Sequence, residues 1–149
     1  MSLLEPPAEI PKKHHALTIT LAAVALVLII ALWFSFRYFP EKKAAGEFFA
    51  ALTAGDTAKA YALWKPSPSY TMNDFLADWG TNGYYGPVRS YRIMDAKAVR
   101  NSVSIAVNVA ISPYAPMPSP GDAEKSIKTK VVTVWLTPAD KSFSFPVPY

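Results

Sequence analysis

The sequence predicts an α+β protein in which one transmembrane helix precedes about three helices packed on a four-stranded antiparallel curved sheet. A run of 21 residues, from Ala16 to Phe36, has no charged side chain. Apolar residues then recur at helical spacing between residues 41 and 79, and at alternate positions after residue 88. We therefore predict an extended tail (1–15), a transmembrane signal-anchor helix (16–39) and one α+β domain (40–149).

Composition excludes several classes of function. The net charge of +4 is too small for a nucleic-acid-binding footprint, so we expect no nucleic acid partner. Cysteine is absent, and both histidines, His14 and His15, precede the apolar run. The domain therefore has no imidazole or thiol for a triad or a metal site. We predict no catalytic residue, no cofactor and no metal.

The apolar run predicts a helix of about 30 Å, which matches the hydrocarbon core of a bilayer. A cleaved secretory signal is the alternative, but the run is longer than a usual signal core and no small-x-small cleavage site follows it. The lipid bilayer is thus the first predicted partner. Cations flank both ends, so the positive-inside count is almost even and does not decide the orientation.

Small residues within the apolar run have two explanations. Thr18, Ala22 and Ala25 follow at intervals of four and three residues, and Ala31 and Ser35 are four apart. Such spacing lets a second membrane helix approach closely. Ordinary alanine usage is the alternative explanation for the same residues. It is favoured because no GxxxG motif, the usual sign of close helix packing, is present.

Three helices are predicted after the span. Pro40 ends the span, and an amphipathic helix follows over 41–54, with Gly55 suited to its C-terminal end. Asp56 is positioned to N-cap a second helix, which Pro66 stops.

The third helix begins at a second sequence signal. Thr71 and Asp74 have the spacing of a capping box, and Gly80 closes the helix. A glycine-punctuated aromatic loop follows over 80–87.

Four strands are predicted after residue 88. The clearest one has inward residues at every second position, namely Val103, Ile105, Val107, Val109 and Ile111. Residues 88–99 form its partner, residues 127–137 are rich in β-branched side chains, and Phe143, Phe145 and Val147 alternate in a last strand. The proline-rich segment 112–126 is either a polyproline binding lip or a solvated connector.

Three segments carry a resemblance to a known superfamily. They are EFFAALTAGD over 47–56, AKAYALW over 58–64 and DFLADW over 74–79. Followed by a four-strand meander, they resemble the cone-shaped roll of the nuclear transport factor 2-like superfamily, which is related to the cystatin-like fold. Enzymes of that superfamily commonly use an Asp–His pair, which this domain lacks, so the resemblance transfers no catalytic residue.

The whole plan of tail, span and roll is similar to small single-span bacterial envelope proteins and to inner-membrane scaffold subunits of type IV secretion systems. This resemblance implies a single-pass protein of the bacterial inner membrane. The tail would be cytoplasmic and the domain periplasmic.

The first functional hypothesis is a non-catalytic accessory subunit that docks on a larger membrane protein complex or forms a homodimer. Aromatic side chains are enriched at interface anchors. The candidates are Trp79, Tyr84, Tyr85 and Tyr114, although a place in the core explains Trp79 equally well.

The second hypothesis is a small-ligand-binding or, less plausibly, enzymatic domain that uses the mouth of the cone. Asp74 and Asp78 are four residues apart and share a helix face, and Arg92 is a possible third member. Helix capping by Asp74 and a surface charge at Asp78 explain the same carboxylates without any chemistry.

Overall fold

The computed structural model describes residues 13–146. Its first helix, α1, spans Lys13–Phe36 and contains the charge-free run 16–36. It begins within the predicted extended tail, at residue 13, and ends three residues before the predicted end of the span, since the next helix begins at Phe39. The side chains from residue 15 to residue 36 are exposed on all sides of α1, although most are apolar. This helix is long and apolar enough to cross a membrane. The predictions for residues 1–12 of the tail lie outside the described residues.

The described chain divides into two compact units, with the boundary between Arg37 and Tyr38. In the second unit, three helices precede the sheet: α2 (Phe39–Thr53), α3 (Thr57–Trp64) and α4 (Met72–Trp79). Pro40 lies in the first turn of α2, where a missing N–H costs no helical hydrogen bond. Gly55 follows α2 with a φ of 75° and turns the chain toward α3.

Both predicted N-terminal caps are present. The Asp56 side chain accepts a hydrogen bond from the Lys59 N–H at 3.0 Å. Thr71 and Asp74 form the reciprocal capping box at the start of α4. The short side-chain acceptors in the sequence therefore define where α3 and α4 begin.

The sheet is an antiparallel meander in the order β1-β2-β3-β4. Its strands are β1 (Ser90–Ala98), β2 (Ile105–Ser112), β3 (Lys130–Leu136) and β4 (Phe143–Ser144). A short helix, α5 (Ala123–Ile127), lies between β2 and β3. The α+β class and the four antiparallel strands are thereby confirmed.

Several details differ from the sequence-based prediction. Strand β3 begins at Lys130, because residue 127 lies in α5, and β4 ends at Ser144, before Phe145. Val103 is 78% exposed and precedes β2, because residues 99–104 form a turn closed by the Val99 N–H to Ser104 carbonyl bond of 3.0 Å. The proline-rich segment 112–126 contains the start of α5. There the Asp122 carboxylate accepts from the Ser119 N–H and hydroxyl, which tightens the turn before the helix. Val147, predicted for the last strand, lies outside the described residues.

The core lies between α2–α4 and one face of the sheet. It is dominated by aromatic rings from the helices and by β-branched residues from β2 and β3. Glu41 in α2 is buried and pairs with Lys141 at 2.8 Å, which ties the β3–β4 turn to the first turn of α2.

Candidate functional site

An open groove of about 600 Å³ lies where β2 ends and β3 begins. Tyr85, Tyr114, Lys128 and Lys130 line it together with apolar residues, and Tyr84 contacts Lys130 at its border. We call these five residues and the cavity between them the tyrosine–lysine groove. Three of the four predicted interface aromatics therefore meet at one place.

The end of α4 positions two of the tyrosines. The last carbonyl groups of a helix have no partner within the helix and need donors from elsewhere. The Ala77 carbonyl accepts from the Tyr84 N–H at 2.9 Å, and the Asp78 carbonyl accepts from the Tyr85 N–H at 2.8 Å. Two backbone hydrogen bonds thus hold the loop after α4.

Tyr84 and Tyr85 differ in their surroundings. The Tyr85 ring stacks on Trp79 at 4.7 Å and on Phe145 at 5.6 Å, measured between ring centroids. Burial raises the pKa of the Tyr85 hydroxyl, with smaller contributions from Tyr84 and Asp78. Tyr84 meets Tyr85 edge to face at 4.8 Å and remains 72% exposed. Tyr84 therefore offers a large unburied ring on a well-packed base.

Tyr114 occupies the opposite wall. Its carbonyl accepts from the Ser90 hydroxyl at 2.5 Å, and its N–H donates to the hydroxyl of the buried Ser112 at 3.2 Å. The Nζ atoms of Lys125 and Lys128 lie 6.0 and 5.9 Å from the centre of its ring. The backbone of Tyr114 is thus held by two hydrogen bonds, and two lysine ammonium groups lie near its ring.

Lys130 contacts Tyr84 at the border of the groove. Its Nζ donates to the Tyr84 carbonyl at 2.8 Å and lies 5.3 Å from the Tyr84 ring centre. Among the described residues that line the groove, Lys128 and Lys130 carry charge and neither Asp nor Glu is present. With the exposed Ile127 nearby, the groove offers positive charge, aromatic rings and apolar surface to a partner.

Trp79, the fourth aromatic candidate, is part of the core. It is 4% exposed and packs against Phe48, Phe49 and Tyr85. It supports the groove from beneath through the Tyr85 ring and presents no surface to a partner.

The proposed pocket residues are not part of the groove. Asp74 accepts from the Thr71 N–H at 2.8 Å as a helix cap, and Asp78 accepts from the Tyr70 hydroxyl at 2.6 Å. Hydrogen bonds from the Thr71 hydroxyl and then from the Thr71 N–H lower the pKa of Asp74. Arg92 is exposed on β1, opposite Ala110 of β2. The structure thus gives both carboxylates structural hydrogen bonds.

The small residues of α1 form two patches. At about 100° per residue, Thr18, Ala22 and Ala25 share one side of the helix, and Ala31 and Ser35 lie on another. All five are exposed. The Ser35 hydroxyl donates to the Ala31 carbonyl at 2.8 Å, so its hydrogen bond is made within the helix.

The sequence analysis missed the lysines of the groove. Lys128 and Lys130 directly follow the proline-rich segment 112–126, and Lys125 lies near its end. That cluster was the available signal, but its proximity to Tyr84 and Tyr114 depends on how β2, α5 and β3 fold together.

Comparison with protein-family models, curated proteins and solved structures finds no match for this chain. Its function is therefore argued from the site.

Proposed function

We propose that this chain is a membrane-anchored, non-catalytic accessory protein. In this proposal α1 holds it in a lipid bilayer, and the tyrosine–lysine groove docks on a protein of a larger membrane assembly. The main observation in support is that three of the aromatic residues predicted from the sequence as interface candidates line or border one open groove. They are Tyr84, Tyr85 and Tyr114. Tyrosine rings on a rigid base give contact area at a low entropic cost.

The hydrogen bonds of Asp74 and Asp78 favour a binding function over a catalytic one. Asp74 and Asp78 are each engaged by a hydroxyl of the fold, and the described residues contain no group of three or more His, Cys, Asp or Glu able to hold a metal. The charged groups that line the groove are lysines. These features suit recognition of a partner.

We further propose the location that the resemblance implies: a single pass through a bacterial inner membrane, a cytoplasmic tail and a periplasmic domain with the nuclear transport factor 2-like roll. The absence of cysteine allows a direct test. A membrane-impermeant maleimide should label Ser69→Cys, which is exposed in the domain, and should not label Ser2→Cys in intact spheroplasts. The reverse labelling would overturn the proposed orientation.

The docking proposal is tested by particle mass. The tagged full-length chain is extracted from its native membrane in mild detergent, as wild type and as the double variant Tyr84→Ala/Tyr114→Ala. We expect a large stoichiometric complex that the double variant loses. Met94→Ala, an exposed apolar side chain of β1, is the control and should retain the complex. A wild-type monomer, or equal complexes in all three samples, would contradict docking through the groove.

A small amphipathic ligand is the second candidate, because about 600 Å³ is within the range of ligand sites. Its apolar walls and two lysines suit an anionic amphiphile. Native mass spectrometry of the purified full-length chain would show a retained molecule, and Lys128→Glu should remove it. A mass spectrum of the protein without a bound molecule would favour the docking function.

A further inference from the structure

One backbone edge of β3 is only partly paired. Strand β3 pairs with β2 over its whole length, from Lys130 opposite Ile111 to Leu136 opposite Ile105. On its other side, β4 pairs only with Trp135 and Leu136. Within residues 13–146, the stretch 130–134 therefore has no strand on that side.

The unpaired groups can be assigned to individual residues. The Thr137 N–H donates to the Ser142 carbonyl at 3.0 Å, on the β4 side. Backbone N–H groups alternate between the two sides of a strand, so those of Val131 and Thr133 point the same way as that of Thr137. Among the described residues, no strand pairs with β3 on that side at either position.

The sequence explains why β4 stops where it does. Trp135 lies opposite Ser144, so the same register would bring Pro146 opposite Thr133. Proline has no N–H to give to the β3 backbone. The ladder therefore ends after two residues of β4, and the edge before Trp135 stays open in the described chain.

This open edge continues into the tyrosine–lysine groove. Its first residue, Lys130, lines the groove with Lys128, and the exposed Tyr84 ring lies beside it. Val131, the next residue, is 61% exposed. A strand added here would meet positive charge at one end and the exposed apolar side chain of Val131 beside it.

We propose that the partner supplies an extended acidic segment, which pairs with β3 over residues 130–134 as a fifth strand. Its acidic side chains would lie against Lys128 and Lys130, and its backbone would accept from the Val131 and Thr133 N–H groups. This inference rests on the proposed docking function and names the chemistry and binding mode of its partner.

Charge argues against a second copy of this chain as the occupant. Its own β3 edge would bring a second set of the same lysines to the interface, whereas an acidic segment brings opposite charge. Self-pairing is therefore an outcome that would overturn the proposal.

The first experiment locates the partner segment. In the full-length chain, a photo-crosslinking benzoylphenylalanine replaces Val131, Tyr84 or Met94 in turn, and native membranes are irradiated. We expect crosslinks from positions 131 and 84 to one partner, and none from position 94. Mass spectrometry should map them to an extended segment with net negative charge.

The second experiment tests the binding mode with that segment as a synthetic fluorescent peptide. Methylation of alternate backbone nitrogens should weaken binding to the full-length chain about tenfold, because it blocks strand pairing. Replacing its acidic residues by their amides should weaken binding several-fold. Lys128→Glu should do the same, whereas Lys97→Glu, an exposed lysine of β1, should not.

The failure of this inference differs from failure of the docking function. No crosslinked protein from either position 131 or position 84 would overturn both. Four results would overturn the acidic fifth strand. They are crosslinks from position 84 alone, unchanged binding of the methylated peptide, a crosslinked segment with net positive charge, and crosslinks to this same chain. The first three results would leave docking at the groove in place, whereas crosslinks to this same chain alone would also contradict docking on another protein.

Discussion

Phe48 joins several parts of the aromatic core. It is fully buried in α2, and its ring lies within 6.2 Å of five others, measured between ring centroids. These rings belong to Phe49, Trp64, Phe75, Trp79 and Phe143. They come from α2, α3, α4 and β4, so Phe48 joins the helical layer to the last strand.

Replacing this ring should destabilise the domain strongly. We expect Phe48→Ala to lower the free energy of unfolding by about 3–5 kcal/mol, since it removes apolar contacts and leaves a cavity among rigid rings. Urea unfolding of the full-length chain in detergent, followed by tryptophan fluorescence, measures the change. Leu76→Ala is the control, because Leu76 is 42% exposed and should cost less than about 1 kcal/mol. Similar losses in both variants would contradict this core.

Tyr70 gives a second prediction at the residue scale, through its dependence on pH. Burial and the hydrogen bond to Asp78 raise the pKa of the Tyr70 hydroxyl above its ordinary value of 10.0. The folded state therefore retains a proton that the unfolded state loses above that pH, so stability should fall as the pH rises beyond 10.0. Tyr70→Phe should flatten this alkaline decline.

The same variant has a cost at neutral pH. Tyr70→Phe removes the donor to the Asp78 carboxylate, and we expect a loss of about 1–2 kcal/mol at pH 7. Urea midpoints between pH 7 and pH 11 measure both effects. An unchanged alkaline slope in the variant would show that Tyr70 does not cause the decline.

At the scale of elements, α4 depends on its capping box. Thr71→Ala removes a hydroxyl that accepts from the Asp74 N–H at 3.3 Å, and should cost about 0.5–2 kcal/mol at neutral pH. The control is Asn73→Ala in the same helix turn, which leaves the cap intact and should be close to neutral. Urea unfolding distinguishes the two.

The cap also predicts an acid dependence. Hydrogen bonds from Thr71 hold the pKa of Asp74 below its ordinary value of 3.8. Their contribution is present above pH 3.8 and is lost as the pH falls through the lower folded-state pKa. The gap between wild type and Thr71→Ala should therefore shrink in acid, and a constant gap would contradict the box.

The loop that carries Tyr84 and Tyr85 requires glycine at residue 86. A Cβ there would overlap the Gly80 carbonyl oxygen, which is backbone and cannot rotate away. We expect Gly86→Ala to cost about 1–3 kcal/mol and to weaken docking, since the backbone must shift beneath both tyrosines. Urea unfolding and the particle-mass assay measure these effects.

Gly121→Ala is the matched control for that loop. A Cβ at Gly121 meets nothing within 4 Å, so stability should change by less than about 0.5 kcal/mol and docking should persist. Docking by Gly86→Ala at wild-type strength would show that the position of the loop does not matter to the partner.

For the whole molecule, the central prediction concerns α1. Its apolar side chains are exposed around the helix, and a bilayer would cover them. Leu26→Lys/Ile29→Lys should release the chain from the membrane, because each lysine costs about 2.5–3.5 kcal/mol at the centre of a span. The membrane pellet after an alkaline carbonate wash measures this, with Leu26→Ala/Ile29→Ala as control. Retention of the lysine variant in the pellet would contradict a membrane span.

Local signals in the sequence were sufficient for much of the fold. The charge-free run predicted α1, and the side-chain acceptors Asp56 and Thr71 marked the starts of α3 and α4. Alternation predicted β2 from Ile105 onward but failed at Val103, since a turn between strands is closed by backbone bonds that alternation does not register. These features depend on residues a few positions apart, so one chain segment suffices to predict them.

The sequence by itself determined the long apolar helix, the helix caps, the four antiparallel strands and the aromatic candidates. Tertiary structure decided which candidates act together: it buried Trp79, engaged Asp78 with Tyr70 and brought Tyr84 to Lys130, 46 positions along the chain. It also left the β3 edge open beside those lysines. The physical reason is that helical and strand periodicity are local, whereas a groove depends on contacts between distant segments that only packing of the whole domain establishes.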